Sequence, residues 1–368
     1  MKIILFANTD WYLYNYRLSH VKKMAGMDYD VVLCAPKGPY YEKIQKQGFR
    51  LVDIPLSRRG LNPFHELRAL ARLVRLYRNE KPDIVHHFTI KCVLYGSIAA
   101  KITKVPKQIN AITGLGYIFI TDTFLVQLVR PLVKWLYKIF LKHTRVIFQN
   151  QPNRKYFIDN KLVKREQTYL IPGSGVDTNI FTPKPIPPGP PLVILPARML
   201  WDKGVEDFVE AAKRIKERGI SARFALVGEP DPGNPASIPL SQLEEWDREG
   251  FVSWMGWQEN MAEIYTAASM VCLPSAYGEG LAKSLIEGAA SGRAIVTTDI
   301  PGCREVVQNG VNGWVVPPKD IEALTLKLTD MITDKEKLKS MGVASRVLAQ
   351  KEFSVDKVIE ETMQVYNR

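Results

Sequence analysis

Two carboxylates, Glu279 and Glu287, stand eight residues apart within Leu273–Gly292. A glycine-rich turn precedes a run of helix-favouring residues, so this stretch predicts a strand, Met270–Pro274, then a tight loop and a helix beginning near Ala282. Such a loop places backbone N–H groups and a helix N-terminus at a strand end, where an anion can bind. The two acids could then face different ends of one ligand. Spacing alone favours an ordinary βα unit with solvated acids, because short motifs often match by chance.

Cations and glycines follow other predicted strands in the same half of the chain. Arg198 and Lys203 come after Leu192–Pro196, and Gly228 and Gly256 close the next two strands. Ligands of parallel sheets bind beyond the carboxyl ends of the strands. Two cations, two acids and glycine-permitted backbone contacts fit a nucleotide diphosphate sugar.

Each side chain in such a site has a chemical task. Arg198 and Lys203 would neutralise the two phosphates and the charge that grows as the nucleotide leaves. Glu287 could accept hydrogen bonds from both ribose hydroxyls. Glu279 would hold the sugar ring or steady positive charge at the sugar carbon.

Short apolar segments alternate with helical patterns in both halves, which predicts parallel sheets with helices on both faces. The proline- and glycine-rich stretch Pro172–Pro191 separates the halves. We therefore predict an α/β fold of two doubly wound, Rossmann-like domains facing across a cleft. The predicted domains are 1–185 and 186–352, and a C-terminal helix, 353–368, is expected to pack back on the first domain.

Length and composition exclude several classes of protein for this chain. The chain has 368 residues, more than one typical core holds. Its four cysteines, which show no C-x-x-C spacing, argue against a zinc site or a disulfide framework and for a reducing cytosol. The apolar run at the N-terminus is too short for a signal peptide or a spanning helix.

The net charge of +12 is unevenly distributed. Residues 1–185 carry 30 Lys and Arg against 12 Asp and Glu, whereas residues 186–368 carry 20 against 26. A basic first half implies an anionic partner, either nucleic acid or an anionic membrane.

Two predicted helices of the first half carry basic faces. The helix Asn62–Arg78 has four arginines opposite its apolar residues, which fits a solvated face. The segment Thr123–His143 is apolar over most of its circumference, and Pro131 should kink or restart it. This pattern fits either a helix that lies in the membrane interface or a core helix with one solvent-exposed face. Its basic stripe consists of Arg130, Lys134, Lys138 and Lys142.

Acceptor-side candidates come from predicted strand ends of the first half. His86 and His87 end the strand Asp83–His87, and Lys91 follows in the predicted loop. A second strand-to-loop signal contains Thr113 and Gly114. Arg17 would lie in the first turn of a helix Tyr16–Ala25.

Several longer stretches carry a resemblance over essentially the whole chain. The chain is similar to the family 4 glycosyltransferases of the GT-B fold, which are retaining enzymes. His86–Lys101 and Asn110–Phe119 look like the branch that extends polyprenyl-diphosphate-linked saccharides in bacterial glycan assembly. The other matching stretches are GSGVDTNIF (173–181), ARMLWDKG (197–204), VGEPDPGNPASI (227–238), LPSAYGEGLAKSLIEGAASGRAIVTTD (273–299) and PGCREVVQNGVNGWVVPP (301–318).

The resemblance implies a UDP-sugar donor carrying a hexose or an N-acetylhexosamine, and an acceptor bound by the N-terminal domain. It implies no cofactor and no metal, because Arg198 and Lys203 take the role of a divalent ion, and transfer on one face of the sugar without a covalent intermediate. The residues placed on the donor side are Arg198, Lys203, Gly228, Gly256, Glu279, Gly280, Leu281, Ser284 and Glu287.

Two positions depart from the family pattern. Phe88 stands where many relatives have a histidine, so His87, Lys91 and Thr113 become the acceptor-side candidates. Ala282 stands where proline is frequent. An enzyme acting on a lipid-linked acceptor would be cytoplasmic and attached peripherally to the inner face of the plasma membrane.

Three alternatives remain open. The same fold could serve a soluble sugar or metabolite acceptor. A non-catalytic nucleic-acid-binding protein could use the basic half, but its aromatic residues lie within apolar helices and not among basic loops. A NAD-dependent dehydrogenase lacks support because no G-x-G-x-x-G follows the first strand of either half.

Overall fold

The computed structural model describes residues 1–56, 62–116, 119 and 124–368. Contacts divide the chain into two units, Met1–Ser174 with Val358–Arg368 and Gly175–Lys357. This division lies eleven residues before the 185/186 boundary drawn from sequence, because Val176 forms a β-bridge with Ser354 and so joins the second unit.

The first unit contains one sheet of seven parallel strands in the order β3-β2-β1-β4-β5-β6-β7. Alternate residues of β1 face opposite sides, so that Ile3 and Leu5 enter one core cluster and Ile4 and Phe6 another. Both faces are therefore covered, as in a doubly wound fold. The strands are β1 (Lys2–Phe6), β2 (Asp30–Ala35), β3 (Arg50–Asp53), β4 (Ile84–Phe88), β5 (Lys107–Ile112), β6 (Arg145–Phe148) and β7 (Thr168–Leu170).

Helices cover both faces of this sheet. Val358, Val365 and Tyr366 of the last helix pack into the cluster that contains Ile3 and Leu5. The helices of the unit are α1 (Asp10–Tyr12), α2 (Leu18–Ala25), α3 (Tyr41–Lys46), α4 (Pro63–Glu80), α5 (Ile90–Thr103), α6 (Phe124–Phe140) and α7 (Gln151–Asp159), and the last one along the chain is α14 (Val355–Asn367).

Local signals explain several helix boundaries. The Asn62 side chain accepts a hydrogen bond from the Phe64 N–H at 3.0 Å, which confirms the predicted cap of α4. The prediction of a helix beginning at Tyr16 is wrong. Helical structure begins at Asp10 after a Thr9 cap and includes a π-helical turn, Leu13–Arg17, before α2. Lys91, predicted in a loop, lies in the first turn of α5.

The second unit repeats the architecture with six parallel strands in the order β10-β9-β8-β11-β12-β13. One continuous core cluster surrounds its sheet. Its strands are β8 (Leu192–Pro196), β9 (Arg223–Val227), β10 (Ser253–Trp254), β11 (Met270–Leu273), β12 (Ala294–Thr298) and β13 (Gly313–Val316). Its helices are α8 (Val205–Glu217), α9 (Leu240–Glu249), α10 (Met261–Ala267), α11 (Lys283–Ala290), α12 (Ile321–Thr333) and α13 (Lys335–Glu352).

The predicted α/β class with two doubly wound sheets is confirmed. All four cysteines are buried and unpaired. Among the described residues, no helix combines the length and the apolar character needed to cross a membrane.

Candidate functional site

The topological switch point of the second sheet lies between β8 and β11, because later strands are added outward from each of them. Lys203 lies in a 3₁₀ turn, Trp201–Lys203, that follows β8, and Glu279 lies in the loop after β11. Their side chains form an ion pair at this point. The Lys203 and Glu279 side chains are 16% and 19% exposed, so solvent screens the pair only partly. The structure thus brings together two of the predicted site residues.

Backbone contacts hold the loop of Glu279 against the turn of Lys203. The Asp202 carbonyl accepts hydrogen bonds from the Ala276 N–H at 3.0 Å and the Ser275 hydroxyl at 3.2 Å. Gly204 has φ +71°, and a Cβ there would lie 2.0 Å from the Pro274 carbonyl oxygen. Only glycine permits this approach of the two strand ends.

A second turn, Pro301–Glu305, supports the same loop from the side of β12. The Pro301 carbonyl accepts the Glu279 N–H at 2.8 Å, and the Gly302 carbonyl accepts the Ala282 N–H at 2.7 Å. The Glu305 carboxylate in turn accepts the Gly302 N–H at 2.6 Å. Sequence reasoning gave Gly302 and Glu305 no role at the site, although the Pro-Gly pair signals a turn after a strand.

Arg198 also has an acidic partner. Its guanidinium donates to the Asp231 carboxylate at 2.6 Å, and about half of the Arg198 side chain is exposed. Asp231 belongs to the loop after β9, a stretch that carries the family resemblance but in which only Gly228 was predicted to belong to the site. Gly228 begins this loop with φ +138°, where a Cβ would lie 1.9 Å from the Ala197 carbonyl oxygen. The Gly228 N–H donates to the Gly256 carbonyl at 2.8 Å, so both predicted glycines lie at one edge of the sheet.

Glu287 lies in the second turn of α11, and its side chain is 13% exposed. It accepts a hydrogen bond from the Tyr265 hydroxyl at 3.1 Å and lies 3.8 Å from the Lys283 ammonium. Burial raises the pKa of the Glu287 carboxyl above its ordinary value, while Lys283 and the Tyr265 hydrogen bond oppose that rise.

Three further predicted residues surround the start of α11. Gly280 and Leu281 end the loop after β11, and Leu281 is buried in the core of the unit. Ser284 is half-buried in the first turn of α11. The Leu281 side chain is therefore part of that core, and the roles assigned to all three residues remain predictions.

The structure corrects the prediction for His87. Its ring is fully buried in the first unit. Nδ1 lies 2.8 Å from the side-chain amide oxygen of Asn110, and Nε2 lies 3.0 Å from the Tyr77 hydroxyl. Because the amide oxygen only accepts, Nδ1 donates to it and Nε2 accepts from Tyr77. Burial lowers the pKa of His87 to about 4. This ring is a satisfied core histidine and does not face an acceptor.

Arg17 is also buried, not aimed at an acceptor. Its guanidinium lies 4.3 Å from the centre of the Phe88 ring and donates to the Tyr12 hydroxyl at 3.0 Å. The π-helical turn that ends at Arg17 directs it inward. His86 is buried beside it, with Nδ1 2.6 Å from the Tyr366 hydroxyl.

The remaining acceptor-side candidates lie near the surface. Thr113 and Gly114 are half-buried in the loop after β5. Lys91 pairs with Glu66 at 2.8 Å, at the start of α5. These three stay predictions.

Two family models match the chain. The one described as glycosyl transferases group 1 covers residues 176–347, and the one described as glycosyl transferase 4-like covers residues 2–150. Their boundary falls near the division between the two units. The second match contains Lys91, Thr113 and Gly114, and the first contains Lys203 and Glu279.

Curated relatives match over most of their length. A Campylobacter jejuni N,N'-diacetylbacillosaminyl-diphospho-undecaprenol alpha-1,3-N-acetylgalactosaminyltransferase is 28% identical, covering 100% of this chain and 99% of the relative. An Escherichia coli UDP-Gal:alpha-D-GlcNAc-diphosphoundecaprenol alpha-1,3-galactosyltransferase is 24% identical, covering 91% of this chain and 88% of the relative.

Solved structures share the fold at low sequence identity. Anabaena HepE in complex with UDP superposes with a TM-score of 0.81 at 16% identity, covering 100% of both chains. A Rickettsia africae glycosyltransferase superposes with a TM-score of 0.82 at 19% identity, covering 99% of this chain and 97% of the other.

Proposed function

This chain belongs to the family 4 glycosyltransferases with the GT-B fold, and from that premise we propose that it transfers a hexose or an N-acetylhexosamine from a UDP-sugar to a polyprenyl-diphosphate-linked saccharide. The observation that carries the proposal is the Lys203–Glu279 pair at the switch point of the second sheet. The names of the two relatives, both of which act on undecaprenyl-diphosphate-linked sugars, support the class of acceptor.

The second unit binds the nucleotide in this proposal. Lys203 and Arg198 neutralise the diphosphate, and no divalent ion is needed because the two side chains supply the positive charge. Gly228 and Gly256 permit close approach of backbone, and the N-terminus of α11 adds its N–H groups beside Gly280, Leu281 and Ser284. Glu287 accepts the ribose hydroxyls.

The transfer step retains the configuration of the sugar carbon. As the bond to the diphosphate lengthens, positive charge develops at that carbon and negative charge at the leaving oxygen. Glu279 stabilises the positive charge at the sugar carbon. Lys203, which lies beside Glu279, stabilises the negative charge on the leaving oxygen. The acceptor hydroxyl attacks from the face that the nucleotide leaves and gives its proton to the departing phosphate oxygen, so the new glycosidic bond forms as the bond to UDP breaks and no covalent enzyme intermediate forms. Lys91, Thr113 and Gly114 are the acceptor-side contacts in this proposal.

A matched pair of acceptors tests the proposal. A saccharide on polyprenyl diphosphate in detergent is compared with the same saccharide as a water-soluble glycoside, after thermal shift has identified the sugar nucleotide that raises the melting temperature. We expect transfer to the lipid-linked acceptor with a much higher kcat/KM, retention in the product's NMR spectrum, and a rate unchanged by EDTA. Preferred transfer to the soluble acceptor would contradict the lipid-linked assignment.

We further propose that the enzyme acts at the cytoplasmic face of the plasma membrane, attached through α6. This helix runs continuously through Pro131. Its exposed face carries Leu128, Leu132 and Trp135 at 69%, 55% and 57% exposure. Lys138 and Lys142 are exposed farther along the segment, and Arg130 and Lys134 are half-buried. Exposed apolar residues beside lysines fit a helix lying in the interface of an anionic bilayer.

Sedimentation with vesicles tests this attachment. Each lysine near anionic lipid contributes about 1 kcal/mol, so neutralising Lys134, Lys138 and Lys142 to glutamine should weaken binding to anionic vesicles by about 100-fold at low salt. A matched control neutralises Lys22, Lys23 and Lys46, which are exposed on α2 and α3. Equal loss in the two triple variants, or equal binding to anionic and neutral vesicles, would rule out α6 as the attachment site.

A further inference from the structure

Tyr265 is a fully buried tyrosine whose hydroxyl donates to the Glu287 carboxylate at 3.1 Å. It lies in the last turn of α10, and its carbonyl accepts from Arg293 at 2.9 Å. The same guanidinium donates to the Thr266 carbonyl at 3.1 Å. The Phe181 ring meets the Tyr265 ring edge-on, with their centres 5.8 Å apart. The hydroxyl is therefore held in place from several directions.

We infer that Tyr265 is a positioning residue that keeps the Glu287 carboxylate ionised, and so able to accept the ribose hydroxyls of the sugar nucleotide. The inference rests on the role proposed above for Glu287. A carboxylate accepts hydrogen bonds at both oxygens, whereas a carboxylic acid must donate from one of them. Accepting a hydrogen bond from each of the two ribose hydroxyls, one at each oxygen, therefore requires the ionised form.

The surroundings of Glu287 make ionisation sensitive to its neighbours. Burial disfavours the charged carboxylate. Two groups oppose burial, Tyr265 on α10 and Lys283 on the same face of α11 as Glu287. The Tyr265 hydroxyl hydrogen-bonds to the carboxylate directly, whereas the Lys283 ammonium lies 3.8 Å away and is partly exposed. Removing the hydroxyl therefore takes away one of the two supports and leaves the charge of Lys283 as the other.

Tyr265→Phe keeps the ring and removes only the hydroxyl. Without that hydrogen bond the pKa of Glu287 rises, so the protonated form persists to higher pH. The variant should lose affinity for UDP only at acidic pH, because at alkaline pH Glu287 is ionised in both proteins. UDP is the probe, and its own phosphate titration is common to both proteins. We expect the ratio of the Kd for UDP in the variant to that in the wild type to stay near one at pH 8.5 and to rise several-fold by pH 6.

Two further variants are measured in the same way, one as a control and one as a second test. Tyr77→Phe removes another buried tyrosine hydroxyl, the partner of His87 in the first unit, and should leave the pH dependence unchanged. Lys283→Gln removes the second support and should shift the acidic limb in the same direction as Tyr265→Phe, which keeps the test valid if Tyr265→Phe fails to fold.

The experiment distinguishes an error in the proposed nucleotide site from an error in the role of Tyr265. If Glu287→Ala leaves UDP affinity unchanged, the proposed nucleotide site is wrong. If Glu287→Ala abolishes binding but Tyr265→Phe weakens it equally at every pH, or not at all, then Tyr265 is only a packing residue and the inference is overturned.

Discussion

Replacing Lys203 with alanine is expected to lower kcat/KM by about 100- to 1,000-fold, the usual cost of removing one group that stabilises developing negative charge. The substitution also removes the Lys203 ammonium from beside Glu279, whose side chain is 19% exposed. The Glu279 carboxylate would then face the incoming diphosphate with the Lys203 charge gone, and two anions in a poorly solvated site repel each other. Affinity for UDP should therefore fall together with kcat.

Steady-state transfer rates and UDP titrations measure both effects. Glu279→Ala should also lower kcat, and the double variant should lose less than the product of the two single losses because the residues form a pair. The matched control is Lys337→Ala, which breaks an ion pair of 2.6 Å with Asp330 in the same unit. That partly exposed pair should contribute at most about 1 kcal/mol to stability and nothing to transfer. If Lys203→Ala and Glu279→Ala both keep near-normal transfer rates, the assignment of the active site to this pair is wrong.

Much of the fold follows from local signals in the sequence. The strands around the second site are short apolar runs bounded by glycine or proline, and parallel pairing sends their carboxyl ends to one edge. Because Lys203 and Glu279 each follow such a strand, their approach could be predicted without knowing the contact. The helix of Glu287 was also located, since the residues from Lys283 to Ala290 favour helix.

Long-range packing explains what the sequence did not reveal. His87 stands at a strand end and so appeared accessible, but Tyr77 and Asn110, 10 and 23 residues away, enclose it. Arg17 is buried through a π-helical turn, for which no sequence signal was available. Asp231 lies in a loop without regular structure, and only the folded chain shows that it meets Arg198.

The contacts of the turn after β12 could be predicted from the sequence only in part. Pro301 and Gly302 lie 22 and 23 residues after Glu279, and their contact depends on β11 and β12 being neighbours. A strand order of 1-4-5 is expected for a doubly wound sheet, so adjacent loops at this edge were foreseeable. What remained hidden was that the two carbonyls accept the N–H groups of Glu279 and Ala282.

Replacing Gly302 with alanine should therefore impair transfer without a change at any side chain assigned to the site. Gly302 has φ +89°, and a Cβ there would lie 2.7 Å from the backbone carbonyl carbon and oxygen of Glu279. One of the two backbones must move, and a misplacement of about 1 Å at a reacting group costs about 100-fold in rate. We expect kcat to fall by about 10- to 100-fold.

Gly250→Ala separates displacement from backbone strain. Gly250 also belongs to the second unit and has φ +78°, but nothing lies within 4 Å of a Cβ added there. Alanine at a left-handed position costs about 1 kcal/mol in stability wherever it occurs, so the two variants should share a similar fall in melting temperature from that source. Only Gly302→Ala should also lose transfer activity. If the two variants keep the same kcat, the turn Pro301–Glu305 stabilises the fold but does not position Glu279, and the accuracy of the Lys203–Glu279 pair must come from other contacts, such as those of Asp202.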